Sequence, residues 1–447
     1  MWFVGMVAVG WARPAYRHPE PPPLPEVAAT LIGRALVSTE AYDELAYLSD
    51  EIGHRLSGSA ALDRAIAWGQ AEMREDGLMN VRAEPVEVPV WVRGDQRATQ
   101  LTPIERELSV LALGGTVGTP PRGIQAPVVV VGSFEELAAR AAEIPGKIVL
   151  FDVPFTTYGE TVEYRGRGPA EAAKLGAVAA LVRSVTSSSL DTPHTGGTWS
   201  DGELSTIPSA AVTIEAATSI RRTIERGTEV RLLLTLGAQR GPMVMSANTI
   251  GEVRGRSLPD EVVVLACHLD SWDVGQGAQD DGAGCVTVME AAALIAALPV
   301  PPKRTIRVVL YTNEENGLAG GRAYAAAHAA EKHHAALEVD TGAGQPLGLR
   351  VSADADATEA AAAPVIEALR PVADLLVPIG ASGLRAGHGG ADIGELAGVT
   401  TFGLDQDTTG YWPIHHTEAD TFEKVDRILL AKNVAATAVF AWALAEQ

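Results

Sequence analysis

Apolar runs of strand length alternate with longer alanine-rich segments through the second half of the chain. The runs are EVVVLAC (261–267), TIRVVLYT (305–312), AALEVD (335–340) and VTTFGLD (399–405). Segments of helical length and composition, such as AGCVTVMEAAALIAAL (283–298), lie between them. Continuous apolar strands that alternate with helices predict an α/β fold, with a mostly parallel or mixed central sheet covered by helices on both faces.

The first half of the chain carries three further patterns. Residues 26–82 are predicted to be helical, and the last helical segment there, AALDRAIAWGQAEMREDG, ends at Gly77. Positions 81–103 alternate apolar with polar residues, as strands do. From 115 to 240, short strands and alanine-rich helices alternate on a smaller scale, which predicts a smaller inserted α/β domain. We therefore expect an apolar, proline-rich start, a first part of the main domain, the insertion, and a second part of the main domain, with boundaries 1–25, 26–114, 115–240 and 241–447.

Composition narrows the possible partners. The 447 residues contain 35 lysines and arginines against 56 aspartates and glutamates, a formal charge of −21. Such an acidic surface repels phosphate backbones and anionic lipid, so we expect neither nucleic acid nor a membrane surface as a partner. After the first residues, no stretch reaches the ~18 uninterrupted apolar residues of a membrane span.

The first residues, MWFVGMVAVGWARPAY, form an apolar run of roughly signal-peptide length. It ends in a small-x-small pattern at 10–12, but no basic residue precedes it. We expect export, so that the protein is secreted or periplasmic, with a cytoplasmic protein as the alternative.

Metal-ligand residue types cluster just after the predicted strands. The stretch CHLDSWDVGQGAQDDGAG (267–284) holds His268, Asp270 and Asp280, and the pair Glu314–Glu315 follows the next strand. Asp340 ends a third strand, and His416 precedes the last helix. Imidazole and carboxylate are ligands that zinc takes in catalytic sites, and the carboxyl ends of strands in an open α/β sheet are where ligands bind. The pattern therefore predicts a two-metal hydrolase.

The residue types also suggest a division of roles. Asp280 can bridge two ions, with His268 and Glu315 completing one set and Asp340 and His416 the other, although the sequence leaves the places of Glu315 and Asp340 open. One carboxylate of Glu314–Glu315 binds metal, and the other acts as general base for a water. We count Asp270 as catalytic, because it is in range to hold the second ring nitrogen of His268.

Other readings of these motifs are structural. The segment HHTEAD could belong to the N-terminus of the last helix, with Thr417 or Asp420 as its cap. We expect His415 to be a neighbour of the ligand His416, and Cys267 and Cys285 to be small buried packing residues. His328, His333 and His334 are expected on an exposed polar helix.

The long motif HLDSWDVGQGAQDDGAG (268–284) closely resembles the M28 family of zinc peptidases, and within it the carboxypeptidase Q group. The segments GHRLSGSAALDRAIAWGQAEMREDG, GKIVLFDV, HTGG and IPSAAVTI also resemble that group. The resemblance implies two Zn²⁺ ions, a protease-associated inserted domain, a homodimer and short peptide substrates, particularly dipeptides. Residue by residue, it implies Glu314 as the base and a set of five zinc ligands, with Asp280 bridging: His268, Asp280, Glu315, Asp340 and His416.

Three alternatives stay open at this stage. The first is an aminopeptidase of the same family, and the second is a glutaminyl-cyclase-like acyltransferase that uses one zinc on the same fold. The third is a binding module with an inactive site.

Overall fold

The computed structural model describes residues 20–188, 190–198 and 204–447, so most of the predicted 1–25 segment lies outside the described residues. The helices in these ranges are α1 (Leu24–Val37), α2 (Glu40–Tyr47), α3 (Ala60–Glu75), α4 (Phe134–Ala139), α5 (Tyr158–Gly166), α6 (Gly168–Lys174), α7 (Ile214–Glu225), α8 (Ala283–Ala296), α9 (Ala319–Ala327), α10 (Glu359–Ala373) and α11 (Arg427–Glu446). The strands are β1 (Met79–Val92), β2 (Gln96–Thr102), β3 (Arg106–Leu108), β4 (Val110–Ala112), β5 (Ile124–Val131), β6 (Ile148–Phe151), β7 (Ala179–Arg183), β8 (Ser209–Val212), β9 (Arg231–Leu236), β10 (Gln239–Val253), β11 (Leu258–His268), β12 (Arg304–Tyr311), β13 (Lys332–Glu338), β14 (Pro346–Ser352), β15 (Gly383–Ala386) and β16 (Thr401–Gln406).

The first sheet has the strand order β1-β10-β12-β11-β13-β16-β14-β15. Its central strands β12, β11, β13 and β16 run parallel to their neighbours in that group, whereas β1, β10 and β14 pair antiparallel. The predicted mixed α/β architecture is therefore confirmed. Because the central strands are parallel, their carboxyl ends meet at one edge of the sheet.

Alternate residues of β11 enter two different cores. Val263 and Leu265 pack in the core that contains α1, α3, α8 and α11. Val262 and Val264 pack on the opposite face in a second core with Tyr324 of α9. This burial on both faces explains why β11 is a continuous apolar run rather than an alternating one.

The two cysteines occupy the first of these cores. Cys267 and Cys285 are free thiols and are both fully buried. The Cys285 thiol donates a hydrogen bond to the carbonyl of His268 at 3.1 Å. The prediction that both are packing residues is confirmed.

The second sheet has the order β3-β2-β9-β5-β6-β7-β8-β4. We call the strands from Gln96 to Leu236 and their helices the second unit. The strands between Gln96 and Ala112 belong to this sheet, so its start does not coincide with the boundary expected at residue 115. The chain passes between the sheets at Gly94, whose φ is +64° and whose backbone lies too close to Gly237 for a side chain. Alternation of apolar and polar residues continues across this turn and hides the change of sheet.

Helix α11 is the longest helix of the described chain, and most of its residues are buried. By length and composition it could span a membrane, with a mean hydropathy of 1.7 over its apolar window, but 83% of that window is buried inside the molecule. Such burial is typical of the core helix of a globular domain.

The structure differs from the sequence-based description in two places. Strands β14 and β15 were not predicted, because their glycines and arginines break the apolar pattern. The expected exposed helix with three histidines ends at Ala327 instead. His328 is buried between the carboxylates of Glu84 and Glu331, and His333 and His334 lie in β13.

Candidate metal centre

The predicted ligands converge at the carboxyl edge of the first sheet. His268 is the last residue of β11, Glu315 follows β12, and Asp340 follows β13. These three strands are adjacent, with β11 in the middle. Asp280 lies in the turn before α8, and His416 lies in the loop between β16 and α11.

Asp280 is the centre of the cluster. Its Oδ1 lies 3.3 Å from Nε2 of His268, and its Oδ2 lies 3.2 Å from Nε2 of His416. Nε2 of His268 also lies 3.3 Å from Oδ1 of Asp340, and Nε2 of His416 lies 3.1 Å from Oε2 of Glu315. The two oxygens of one carboxylate thus face two separate His–carboxylate pairs.

These contacts favour a distribution of ligands other than the one expected from the sequence. The nearest carboxylate partner of His268 besides Asp280 is Asp340 rather than Glu315, and that of His416 is Glu315 rather than Asp340. His268, Asp280 and Glu315 do lie within reach of a common ion. The closer contacts, however, group Asp340 with His268 and Glu315 with His416.

The cluster fits divalent cations on two observations. Zinc binds imidazole nitrogen and carboxylate oxygen at about 2.0–2.2 Å, so two ligands of one tetrahedral ion lie roughly 3.3 Å apart, as these atoms do. In addition, Oδ2 of Asp280 and Oε1 of Glu315 are buried atoms without a hydrogen-bond partner in the described part of the chain. Buried carboxylates gathered in this way are costly unless cations neutralise them.

The titration of the site follows from this crowding. Burial opposes the charged form of His268, but the charge of Asp340 and hydrogen bonds with Asp280 and Asp340 raise its pKa well above the usual range. Burial likewise opposes protonation of His416, but Glu315 and Asp280 raise its pKa to about 9. Burial raises the pKa of Glu314 well above its ordinary value, with His268 opposing and Asp340 and Glu315 adding to it.

Asp270 reaches the second ring nitrogen of His268, as expected, but through its main chain. Its backbone carbonyl, not its carboxylate, accepts from Nδ1 of His268 at 2.9 Å. Its carboxylate accepts from the backbone N–H of Glu314 at 3.0 Å and from the hydroxyl of Ser57 at 3.2 Å. Asp270 therefore positions both the ring of His268 and the backbone of Glu314.

Arg55 holds the glycine-rich loop between His268 and Asp280. Its fully buried guanidinium donates to the backbone carbonyls of Leu269, Gln276 and Gly277 at 2.8–3.0 Å. This role of Arg55 could not be predicted, because an arginine in the segment GHRLSG carries no sign of a partner more than two hundred residues away.

Asp420 holds Asp280 from the other side. Its carboxylate accepts from the backbone N–H groups of Gln279 and Asp280 at 2.7 and 3.1 Å. The alternative that Asp420 caps the last helix is wrong, because Asp426 is the N-cap of α11. The ring of His415 stacks on that of His416 at 3.5 Å, and its Nε2 lies 3.6 Å from Oδ2 of Asp280, so His415 borders the cluster as well.

A cavity of about 1140 Å³ opens above the cluster. His268, Asp280, Glu314, Glu315, Asp340 and His416 line its floor. Its walls come from both sheets, with Tyr158 and Arg165 from α5 of the second unit and Trp412 from the loop before α11. The contribution of α5 was not predicted.

Comparison with known proteins places the chain in a family. Residues 248–441 match the model of peptidase family M28. The chain is 40% identical over 428 residues to Carboxypeptidase Q of Xenopus laevis, covering 94% of this chain and 90% of that protein. It is 39% identical over 429 residues to Carboxypeptidase Q of Homo sapiens, covering 94% and 89%.

Solved structures of related proteins have the same fold. A Peptidase M28 precursor from Shewanella amazonensis superposes with a TM-score of 0.88 at 39% identity, covering 95% of this chain and 97% of that one. A zinc aminopeptidase from Bacillus subtilis shares the fold, with a TM-score of 0.67 at 22% identity over 92% and 95% of the two chains. The chain belongs to peptidase family M28, as its resemblance to the carboxypeptidase Q group predicts.

Proposed function

We propose that the chain is a dinuclear zinc exopeptidase that hydrolyses short peptides by carboxypeptidase or dipeptidase action. The broader class, a zinc-dependent exopeptidase, follows from membership of family M28. The observation that carries the finer proposal is the position of Asp280, whose two oxygens face two separate His–carboxylate pairs. A carboxylate placed in this way suits two ions ~3.5–4 Å apart.

We assign one ion to His268, Asp280 and Asp340, and the other to His416, Asp280 and Glu315. Bound there, zinc would supply a water of lowered pKa and polarise the scissile carbonyl. Glu314 then accepts the proton of the attacking water and returns it to the leaving amine. The bond between Asp270 and the backbone N–H of Glu314 keeps the base directed at the cavity.

The charges around the cavity support a substrate with a free carboxylate. Apart from the metal-site residues, the charged lining consists of Arg165, Arg240 and Arg322 against Glu87. An excess of arginine is unusual in a chain with a formal charge of −21. The four positive charges of two zinc ions would exceed the three negative charges of Asp280, Glu315 and Asp340, so the ligand carboxylates would not offset the arginines.

A panel of dipeptides with free, N-acetylated or C-amidated ends, run beside zinc counting, tests this function. Carboxypeptidase action predicts hydrolysis of N-acetylated but not of C-amidated dipeptides. The reverse pattern would identify an aminopeptidase. One zinc with no peptide hydrolysis would favour an acyltransferase of the glutaminyl-cyclase type, and absence of stoichiometric zinc would favour a binding module.

Glu314→Gln tests the role of the base. The variant keeps the shape of the side chain but cannot take a proton, so we expect two bound zinc ions and a kcat lowered by roughly 10²–10⁴-fold. Glu423→Gln, a change of the same kind at an exposed position, should leave kcat unaltered. Near-normal turnover by Glu314→Gln on the best peptide would remove Glu314 from the role of base.

The resemblance to the carboxypeptidase Q group supports three further parts of the proposal. These are a protease-associated-like nature for the second unit, a homodimer, and a location outside the cytoplasm. The apolar run that motivates export lies within residues 1–19, outside the described residues.

A further inference from the structure

One segment of the second unit reaches the metal centre directly. We call residues 194–197 the Thr195 loop. The backbone N–H of Thr195 donates to the carbonyl of His416 at 3.0 Å, and the carbonyl of Thr195 lies 3.2 Å from Nδ1 of His416. The loop and the ligand are thus joined by a reciprocal pair of hydrogen bonds, although 221 residues separate them in sequence.

The direction of the second bond follows from the chemistry of the ring. Nε2 of His416 faces the carboxylates of Asp280 and Glu315, so this nitrogen is the one that binds metal. The proton of a neutral imidazole then lies on Nδ1, which donates to the carbonyl of Thr195. Nη1 of Arg165 lies 3.3 Å from Nδ1 but donates to the same carbonyl at 3.1 Å.

His416 needs such support because its backbone is strained. Its φ is +61°, a left-handed conformation that non-glycine residues seldom adopt without compensating contacts. The ring is also buried, against Trp272 on one side and His415 on the other. The Thr195 loop supplies the polar contacts that fix the ring in this position.

The Thr195 loop is itself held firmly within the second unit. The hydroxyl of Thr195 donates to the carbonyl of Ala112 at 2.8 Å and accepts from Arg93 at 3.2 Å. Gly196 has a φ of +140°, and a Cβ there would collide with the guanidinium of Arg165. Arg165 is 4% exposed, and its other amino group donates to the hydroxyl of Tyr158 at 2.9 Å.

We propose that the Thr195 loop and Arg165 are positioning residues for His416, so that the second unit is a structural part of the zinc site formed by His416, Asp280 and Glu315. The site of His268, Asp280 and Asp340 is held instead by the carbonyl of Asp270 and by Asp281, whose carboxylate accepts from the backbone N–H of His268. A substitution that disturbs the Thr195 loop should therefore lower the zinc affinity of the site formed by His416, Asp280 and Glu315. The affinity of the other site should stay unchanged. This inference rests on the two-zinc centre proposed above.

Gly196→Ala is the direct test. The added methyl group displaces the guanidinium of Arg165 and the backbone of the Thr195 loop. Removal of a supporting partner of a ligating histidine typically weakens metal binding by 10–100-fold. We expect the wild type to hold two tight zinc ions per chain. Gly196→Ala should keep one with unchanged affinity and bind the other 10–100-fold more weakly, as measured by elemental analysis and by competition with a chromophoric chelator.

Gly227→Ala is the matched control. Gly227 also has a positive φ, +81°, and lies in the second unit, but a Cβ there has no neighbour within 4 Å. Alanine there also meets the strain of a positive φ but does not touch the Thr195 loop, so both ions should bind as in the wild type.

A second pair of variants tests the same inference if Gly196→Ala does not fold. Thr195→Val keeps the shape of the side chain but loses both bonds of the hydroxyl, whereas Thr195→Ser keeps the hydroxyl. We expect Thr195→Val to lower the affinity of one zinc site only, and Thr195→Ser to keep that affinity close to the wild-type value. If folded Gly196→Ala and Thr195→Val bind both ions with wild-type affinity, or if both ions are weakened equally, this inference is wrong. The proposed dinuclear function would still stand. A wild type with a single zinc would overturn the dinuclear function together with it.

Discussion

Glu44 of α2 is a carboxyl group buried among other carboxyls. Burial is the main cause that raises its pKa from an ordinary 4.5 to about 9, and the charges of Asp76, Glu72, Glu290 and Glu40 add to it. Burial also raises the pKa values of Asp76 and Glu290 to about 7. One oxygen of Glu44 has no hydrogen-bond partner among the described residues. At neutral pH this carboxyl is therefore held in its protonated form.

Glu44→Gln should stabilise the protein at alkaline pH. Because the folded pKa lies above the unfolded one, the folded chain binds more protons between pH 4.5 and 9, and stability falls as pH rises through that window. Glutamine removes this loss. We expect a gain on the order of 5 kcal/mol at pH 8 and almost none at pH 4.5, seen as a difference in Tm between the two pH values.

Glu51→Gln is the control for this prediction, because Glu51 lies one turn beyond α2 with an exposed side chain. It should change Tm equally little at both pH values. A Tm gain for Glu44→Gln that did not grow from pH 4.5 to pH 8 would contradict the assignment of a raised pKa to this group.

The candidate site could be predicted in its residue types but not in its pairing. His268, Asp280, Glu315 and Asp340 are readable because each is a ligand type that follows an apolar strand. Their pairing depends on the sheet order, in which β11 lies between β12 and β13. Glu315 and Asp340 therefore flank His268 from opposite sides, and only the position of His416 decides which carboxylate it meets.

Among the elements, those with a strong periodic pattern were the predictable ones. The strands β11, β12, β13 and β16 are apolar because helices or loops cover both of their faces. Strand β15 is the edge strand of the first sheet, whereas β14 buries Leu349 and Val351 in the main core. A glycine and an arginine interrupt the apolar run of β14, so the pattern there does not indicate a strand. The passage between the two sheets at Gly94 was not predictable, since strand alternation is the same on either side of it.

Helix α11 offers a test at the scale of one element. Its N-cap Asp426 accepts hydrogen bonds from the backbone N–H groups of Ile428 and Leu429 at 2.8 and 2.9 Å. The cap is exposed, whereas the helix from Leu430 onward is buried in the main core. The cap can therefore be changed without altering the packing of the helix.

Asp426→Ala should destabilise the protein by about 1 kcal/mol, because two backbone donors at the helix start lose their acceptor. Asp426→Asn keeps a side-chain oxygen and should retain most of the stability. Thermal denaturation of both variants measures the difference, and zinc content should not change in either. An alanine variant as stable as the wild type would mean that the first turn of α11 finds other acceptors.

At the scale of the whole molecule, the cavity above the candidate metal centre has walls from both sheets and their helices. Its floor belongs to the first sheet, and its walls include Tyr158, Val162 and Arg165 of the second unit. Arg165 and His416 are in contact although they lie 251 residues apart. No local pattern in the sequence indicates such a contact, so the sequence could suggest a separate second unit but not its contact with the candidate metal centre.

Trp412 forms an apolar wall of this cavity. Its ring stacks on Tyr158 of the second unit at 4.8 Å with an interplanar angle of 20°, and it meets Phe155 at 6.4 Å. The indole N–H donates to the hydroxyl of Thr408 at 3.0 Å, which fixes the ring. An aromatic wall of this kind binds a large apolar side chain of the substrate by removing its surface from water.

Trp412→Ala should therefore raise KM selectively. For dipeptides with a phenylalanine or leucine side chain we expect a rise of about tenfold, since loss of burial of such a side chain costs roughly 1.5–3 kcal/mol. For glycylglycine KM should hardly change, and kcat should be preserved for both classes because the proposed metal ligands and the proposed base Glu314 are untouched. Trp412→Phe keeps an aromatic face against Tyr158 and should restore much of the preference. If KM instead rises equally for glycylglycine and for the apolar dipeptides, Trp412 shapes the cavity as a whole and does not select the side chain, and the apolar wall must be assigned to other lining residues such as Trp91 and Met243.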